Sequence, residues 1–152
     1  MRHAQTDMDT ESISGHAFFK EFEAHTASKL VDLGIEARFD PGKVIFEEHE
    51  PSGQFYFITQ GSVALEQPGL GRPVRIQTLH EGDFFGWSAL LGSGTRHFKA
   101  RALAHVVALT FDGALLRKTC ENDPQFGYAL MKRLLVLVTE RLDATRTQVA
   151  SV

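Results

Sequence analysis

The chain has 152 residues and a formal charge of −3 at neutral pH, enough for one domain with its own core and too little positive charge for a general nucleic-acid binder. Its single cysteine, Cys120, excludes an intramolecular disulfide and a thiolate zinc site and reads best as a small buried hydrophobe. Twelve phenylalanines against one tryptophan and two tyrosines point to a core filled by aromatic wedges.

Residues 1–14 read as a polar, disordered lead-in without the apolar stretch of a signal peptide. The longest aliphatic run, 134–138, is too short to cross a bilayer, so no membrane partner is implied and the expected location is the cytoplasm. Residues 15–152 read as one domain. Phe18, Phe19 and Phe22, then Leu30, Val31 and Leu33, recur at helical spacing and predict two short helices. Thr26 and Ser28 offer caps for the second, and Gly34 stands where a left-handed residue often ends a helix.

From about 35 to 111 the pattern changes. Short runs at 43–46, 54–59, 62–66 and 74–79 are separated by Pro-Gly, Ser-Gly, Gln-Gly, Gly-Leu-Gly and Glu-Gly-Asp, which predicts strands joined by tight turns. Pro41-Gly42, Gly61 and Gly82 fall where positive φ is needed. With helices at both ends, the predicted fold class is α+β: an antiparallel β-roll, meaning a double-stranded β-helix or jelly roll, flanked by N-terminal helices and a long C-terminal helix. Helical spacing resumes over about 112–147. Ala114, Leu115 and Leu116 predict a short helix, and Asn122-Asp123-Pro124 the start of a long one. Along it Phe126, Leu130, Leu134, Leu137, Val138 and Arg141 keep a three-four spacing. That face either packs on the roll or pairs with its twin in a homodimer, and spacing leaves both open.

The residues also form a connected series: Phe39-x-Pro41-Gly42-x-x-Ile45-Phe46, Phe55-Tyr56-Phe57-Ile58, Gly61-Ser62-Val63, Gly82-Asp83-Phe84-Phe85-Gly86, Ala89-Leu90-Leu91, Arg96 and Ala102. Over about 18–146 the chain resembles the cyclic nucleotide-binding domain family of catabolite-activator-type regulators and cyclic-nucleotide-dependent kinases. The resemblance implies a sensory or regulatory domain and not an enzyme, with no catalytic residues. It also implies that an anion or nucleotide would sit at the segment Phe85, Gly86, Trp87, Ser88 and Ala89, with Arg96 and His97 downstream. Amides following a glycine can face an anion, and arginine adds a forked, permanently charged donor. Arg96 reads equally as a structural arginine.

Trp87 departs from the pattern, standing where cyclic-nucleotide binders usually carry a glutamate that accepts a hydrogen bond from the ribose. Tryptophan has no acceptor, so altered or lost cyclic AMP recognition is expected. No cofactor is required, and a different small anionic effector could use Trp87, Arg96 and His97. The indole itself reads as a cap on the pocket or a packing residue in the core, ahead of a stacking platform for a planar ligand. His97 stands where a small or hydroxyl residue is usual, and His49 where glycine is usual.

DNA-binding relatives continue past the long helix into a helix-turn-helix, whereas this sequence stops at Val152. If the chain is complete, a stand-alone domain without direct DNA binding, working through a homodimer or a protein partner, is expected; if it is a piece of a longer protein, the DNA-binding regulator stays open. A protein-interaction module without a small ligand is the alternative from another class. A cupin-like metalloenzyme is a further one, but it would want a His-x-His strand pair, and none of the seven histidines forms one. No metal site is expected.

Overall fold

The structure, a computed structural model, describes residues 22–92 and 94–150, the side chains of 145 and 147–150 excepted. The predicted lead-in and the predicted helix at Phe18 and Phe19 lie outside the described residues. The chain falls into two compact units, one up to Arg117 and one from Lys118 on.

The first unit opens with α1 (Ala24–Leu33), whose Leu30 and Val31 are buried. Its N-cap is Glu23, without a side-chain cap, so Thr26 and Ser28 lie inside the helix and do not start it. Thr26 is buried with the apolar face. Gly34 is extended, at φ −83°, and not left-handed. Its lack of a side chain serves packing: a Cβ there would come within 3.0 Å of Leu109 and 3.1 Å of Phe111.

Eight strands follow: β1 (Ile35–Phe39), β2 (Val44–Phe46), β3 (Gln54–Gln60), β4 (Val63–Gln67), β5 (Val74–Leu79), β6 (Phe84–Phe85), β7 (Lys99–Ala102) and β8 (Val106–Asp112). The predicted runs correspond to β2, β3, β4 and β5 with ends shifted by a residue or so. Gly42, Gly61 and Gly82 take positive φ, as their turns demand.

The closed antiparallel roll, or jelly roll, expected from the sequence is not what the strands make. They form two separate antiparallel sheets of four, in the orders β1-β8-β3-β6 and β2-β7-β4-β5. The α+β class stands and the closure does not. Glycine turns dictate where a chain reverses but not which strands pair, and here two of the outermost strands, β2 and β6, have only three and two residues. Such short edges cannot carry a closing ladder.

The inner faces share one core, with Phe46, Val63, Leu65, Leu79, Ala100 and Ala102 from one sheet against Tyr56, Ile58, Phe85, Val106 and Ala108 from the other. On its reverse face the first sheet carries a second aromatic layer, where Phe55 meets Phe84 at 5.6 Å and Phe111 at 5.9 Å between ring centroids. β3 therefore buries side chains on both faces, Phe55 and Phe57 on one and Tyr56 and Ile58 on the other. At the outer edge of the second sheet, the β4–β5 pairing slips one residue at Ile76. The loop before β5 lifts Leu70 fully into solvent.

α2 (Gly113–Asn122) starts with Asp112 accepting from the Leu115 amide at 3.0 Å and leads into α3 (Pro124–Ala150). Asp123 caps α3, its Oδ1 accepting from the Phe126 amide at 3.2 Å, and Pro124 occupies the first helical position, where no amide hydrogen is needed.

Candidate functional site

The segment singled out in the sequence runs from β6 through a short 3-10 turn, Trp87–Leu91, to Arg96. Because successive strand residues face opposite ways, Phe84 and Phe85 separate the two sides of the sheet. Phe85 enters the inner core and stacks on Tyr56, with ring centroids 4.7 Å apart and planes 6° from parallel. Phe84 stays on the reverse face and receives the Trp87 indole at 5.3 Å. Trp87 and Ser88 are half-buried, Ala89 is fully buried and His97 is exposed.

Gly86 links strand and turn in the left-handed region, at φ +79°. A Cβ there would lie 2.8 Å from an Arg96 guanidinium nitrogen and 2.9 Å from the Gln54 carbonyl oxygen, so a larger residue would displace one of them.

Arg96 is only 4% exposed. Its guanidinium donates to the Gly86 carbonyl at 3.1 Å and to the Gln54 carbonyl at 2.6 Å, and its carbon lies 4.1 Å from the Phe46 ring centroid. Burial lowers the proton affinity of the guanidinium, while Tyr56 and Glu50 act the other way. Aromatic faces and carbonyl dipoles thus surround the charge in place of water.

Around this side chain the backbone closes up. His49 donates to the Arg96 carbonyl at 2.9 Å, Arg96 donates to Glu50 at 2.8 Å, and Pro51 bridges Thr95. The Ser52 and Ser88 hydroxyls hydrogen-bond to each other. His49 adopts φ +70°, a left-handed conformation that glycine takes more readily than a residue with a side chain.

Gln54 and Glu50 were not singled out by sequence reading, and Phe46 and Tyr56 entered it only within the series that carries the resemblance, with no role at the site. The Tyr56 phenol donates to Gln54 at 3.3 Å and is held above its ordinary value of 10.0, first by burial; the Arg96 charge opposes the shift and Glu50 adds to it. The folded state therefore keeps this proton longer than the unfolded chain. The resulting stabilisation is complete below about pH 10 and is lost as pH rises through the folded value. A Tyr56→Phe variant is expected to lose less of its thermal midpoint than the wild type above that pH, followed by circular dichroism. Equal losses would mean that Tyr56 contributes nothing to the alkaline fall.

In the second unit Phe126, Leu130 and Leu134 are buried, and Leu137, Val138 and Arg141 are half-buried. Tyr128, Met131, Leu135 and Leu142 of the same helix are exposed. Cys120 is half-buried and free, its thiol pushed up by burial and by Glu121 and Asp123, which does not suit a nucleophile.

A groove of about 490 Å3 lies beside the β4–β5 loop, lined in part by Glu47, Glu48, His49, Glu66 and Lys99. Its carboxylates have internal partners: Glu47 with Lys99 at 3.4 Å, Glu66 with Arg101 at 3.3 Å and Glu48 with His49 at 3.6 Å. Among the described residues no group of three or more His, Cys, Asp or Glu side chains is placed to hold a metal ion, and no helix is long and apolar enough to cross a membrane.

Comparison with known proteins adds a family match, a curated relative and two solved structures. The family model described as cyclic nucleotide-binding domain matches residues 36–123. A cGMP-dependent protein kinase of Caenorhabditis elegans is 32% identical over 114 residues, which is 73% of this chain and 14% of the kinase. The chain spans about a quarter or less of the length of such curated relatives. Among solved structures, a cyclic nucleotide-binding domain from Methylobacillus flagellatus superposes with a TM-score of 0.80 at 16% identity, covering 97% of this chain and 84% of the other. The regulatory subunit of a cAMP-independent protein kinase A from Trypanosoma cruzi, bound to guanosine, superposes at 0.61 and 19% identity, covering 82% and 49%. At these identities the structural likeness is one of fold.

Proposed function

The chain belongs to the cyclic nucleotide-binding domain family, whose members are regulatory and sensory modules and not catalysts, and we propose that in this member cyclic AMP recognition has been altered or lost. The observation that carries this reading is Trp87, which stands where the ribose-binding glutamate is expected and leans on Phe84 at 5.3 Å. An indole offers the ribose hydroxyl no acceptor. Leaving that hydroxyl unpaired costs about 1–3 kcal/mol, roughly ten- to a hundredfold in affinity. The inward turn of Arg96 supports the same reading, because two of its donors already serve the chain. The fold also occurs, bound to guanosine, in the regulatory subunit of a cAMP-independent protein kinase A.

The test is thermal unfolding with millimolar cyclic AMP, cyclic GMP and cyclic dinucleotides. A ligand present at about a hundred times its Kd stabilises by about 2.7 kcal/mol and moves the midpoint by several degrees. No movement is expected with cyclic AMP. A rise of several degrees would overturn the loss, and a rise with another nucleotide alone would identify the altered ligand.

α3 favours a second reading, in which output passes through a protein surface. Tyr128, Leu135 and Leu142 are exposed at seven-residue intervals, with Met131 between the first two, a spacing that suits a neighbouring helix from a second copy or another protein. A module of this kind would leave the midpoint unmoved by every nucleotide.

A further inference from the structure

The chain retains a charged arginine in its interior, although the neighbouring substitution at Trp87 works against the ligand such an arginine would hold. Burying a guanidinium is costly unless its donors are satisfied and its charge is faced by dipoles or rings. Arg96 meets these conditions within the chain at both terminal nitrogens, through the Gly86 and Gln54 carbonyls, and over the Phe46 ring. Its Nε is buried with them and has no hydrogen-bond partner among the described residues.

The partners lie on separate pieces of backbone. Gln54 ends a strap, residues 49–54, that runs antiparallel to 94–96. The Arg96 backbone exchanges bonds with His49 and Glu50 of the strap at 2.9 and 2.8 Å, Pro51 bridges Thr95, and the Ser52 amide reaches the Gly94 carbonyl at 3.4 Å. Gly86 opens the 3-10 turn on the far side, which the strap also reaches through the Ser52 and Ser88 hydroxyls. The guanidinium thus grips the strap and the turn together by forked donation, and glycine at 86 leaves the space it occupies.

We propose that Arg96 acts in this chain as an internal clasp, pinning the strap 49–54 onto the Gly86–Leu91 turn and holding the segment closed to anions. The clasp goes beyond the reading of Trp87, because it rests on the contacts of Arg96 and not on the missing acceptor at position 87. An incoming anion must compete with two backbone carbonyls for the same donors, so closed is the resting state of the segment. Lysine cannot replace the arginine, because a single ammonium lacks the planar fork that reaches both carbonyls.

Two measurements on the full chain test the clasp. The first is nuclear magnetic resonance of arginine-labelled wild type. The Arg96 Nε–H is expected to exchange slowly with water and to hold its position as millimolar inorganic phosphate is added, unlike the exposed Arg75. Solvent-fast exchange, or a signal that follows phosphate, overturns the proposal. The second is hydrogen exchange in Arg96→Lys: the amides of His49, Ser52 and Arg96 should exchange faster by about tenfold or more while those pairing β3 with β8 are unchanged. Strap amides that keep their wild-type protection overturn the proposal as well. Should the variant not fold, the wild-type signal decides alone. Neither measurement uses a nucleotide, so the clasp can fail while the loss of cyclic AMP recognition holds, and the reverse.

Discussion

Replacing Gly61 by alanine is expected to destabilise the protein by about 2–5 kcal/mol, lowering the thermal midpoint by roughly 5–15 °C. Gly61 sits at φ +96°, and a Cβ there would come within 2.3 Å of the His105 carbonyl oxygen and 3.1 Å of the Val106 Cα. The left-handed backbone alone costs an alanine about 1–2 kcal/mol. The remainder comes from the clash, because the obstacle is main chain at the start of β8 and cannot swing aside as a side-chain tip could. Gly42 separates the two contributions: its φ is +83° with nothing within 4 Å of its Cβ position. Gly42→Ala should therefore lose only the conformational part. Equal midpoints for the two variants would show that the β3–β4 turn yields to the added methyl.

The second large effect is expected at Phe85, which is 1% exposed and stacked on Tyr56. Truncation to alanine should cost about 3–5 kcal/mol in urea unfolding, the usual penalty for a phenylalanine-sized void. About 0.5–1.5 kcal/mol of this belongs to the ring pair itself. Phe85 also touches Phe46, with centroids 5.9 Å apart, and Phe46 is the ring beneath Arg96. The void therefore opens beside the ring that faces the Arg96 guanidinium. Phe85→Leu, which keeps most of the volume but not the stack, should lose distinctly less. If both variants lost the same amount, the stack and not the filled volume would be the source of stability.

What could be read from the sequence was local. The runs that became β3 and β5 were visible because apolar residues sit between glycine-bearing turns, and the α2–α3 junction because Asp123-Pro124, followed by apolar residues at helical spacing, pairs a capping carboxylate with a proline suited to the first helical position. The pairing of strands was not visible. β3 lies between β8 and β6, partners that depend on which edges meet in space, and a closed roll and two open sheets share the same alternation. The start of α1 was misread because Thr26 and Ser28 are capping residues by type, yet the chain was already helical when it reached them. Gly34 was misread for a related reason, since a glycine needed for closeness to Leu109 and Phe111 looks the same as one needed for its φ.

Of the candidate site, sequence reading proposed the segment from Phe85 to Ala89 and Arg96, but not how these side chains are arranged. Residue type cannot say which way an arginine points. Here the answer lies in a carbonyl 42 positions earlier, at Gln54, and in the space left empty at Gly86. Trp87 carried the one departure visible in the sequence, and it came to rest on the reverse face of the sheet with Phe84 while Phe85 went inward.

The slipped pairing at Ile76 bears on how the protein behaves at high concentration. β5 is an outermost strand, and Val74 and Ile76 are 49% and 43% exposed beside the fully exposed Leu70. A straight strand of that character would be a template for addition of another molecule's edge, the first step toward a fibre or precipitate. The extra residue puts the outward amides and carbonyls of β5 out of step with any regular ladder, and Arg72 and Arg75 set like charges against an approaching copy. A local irregularity of one residue thus keeps the open sheet from growing.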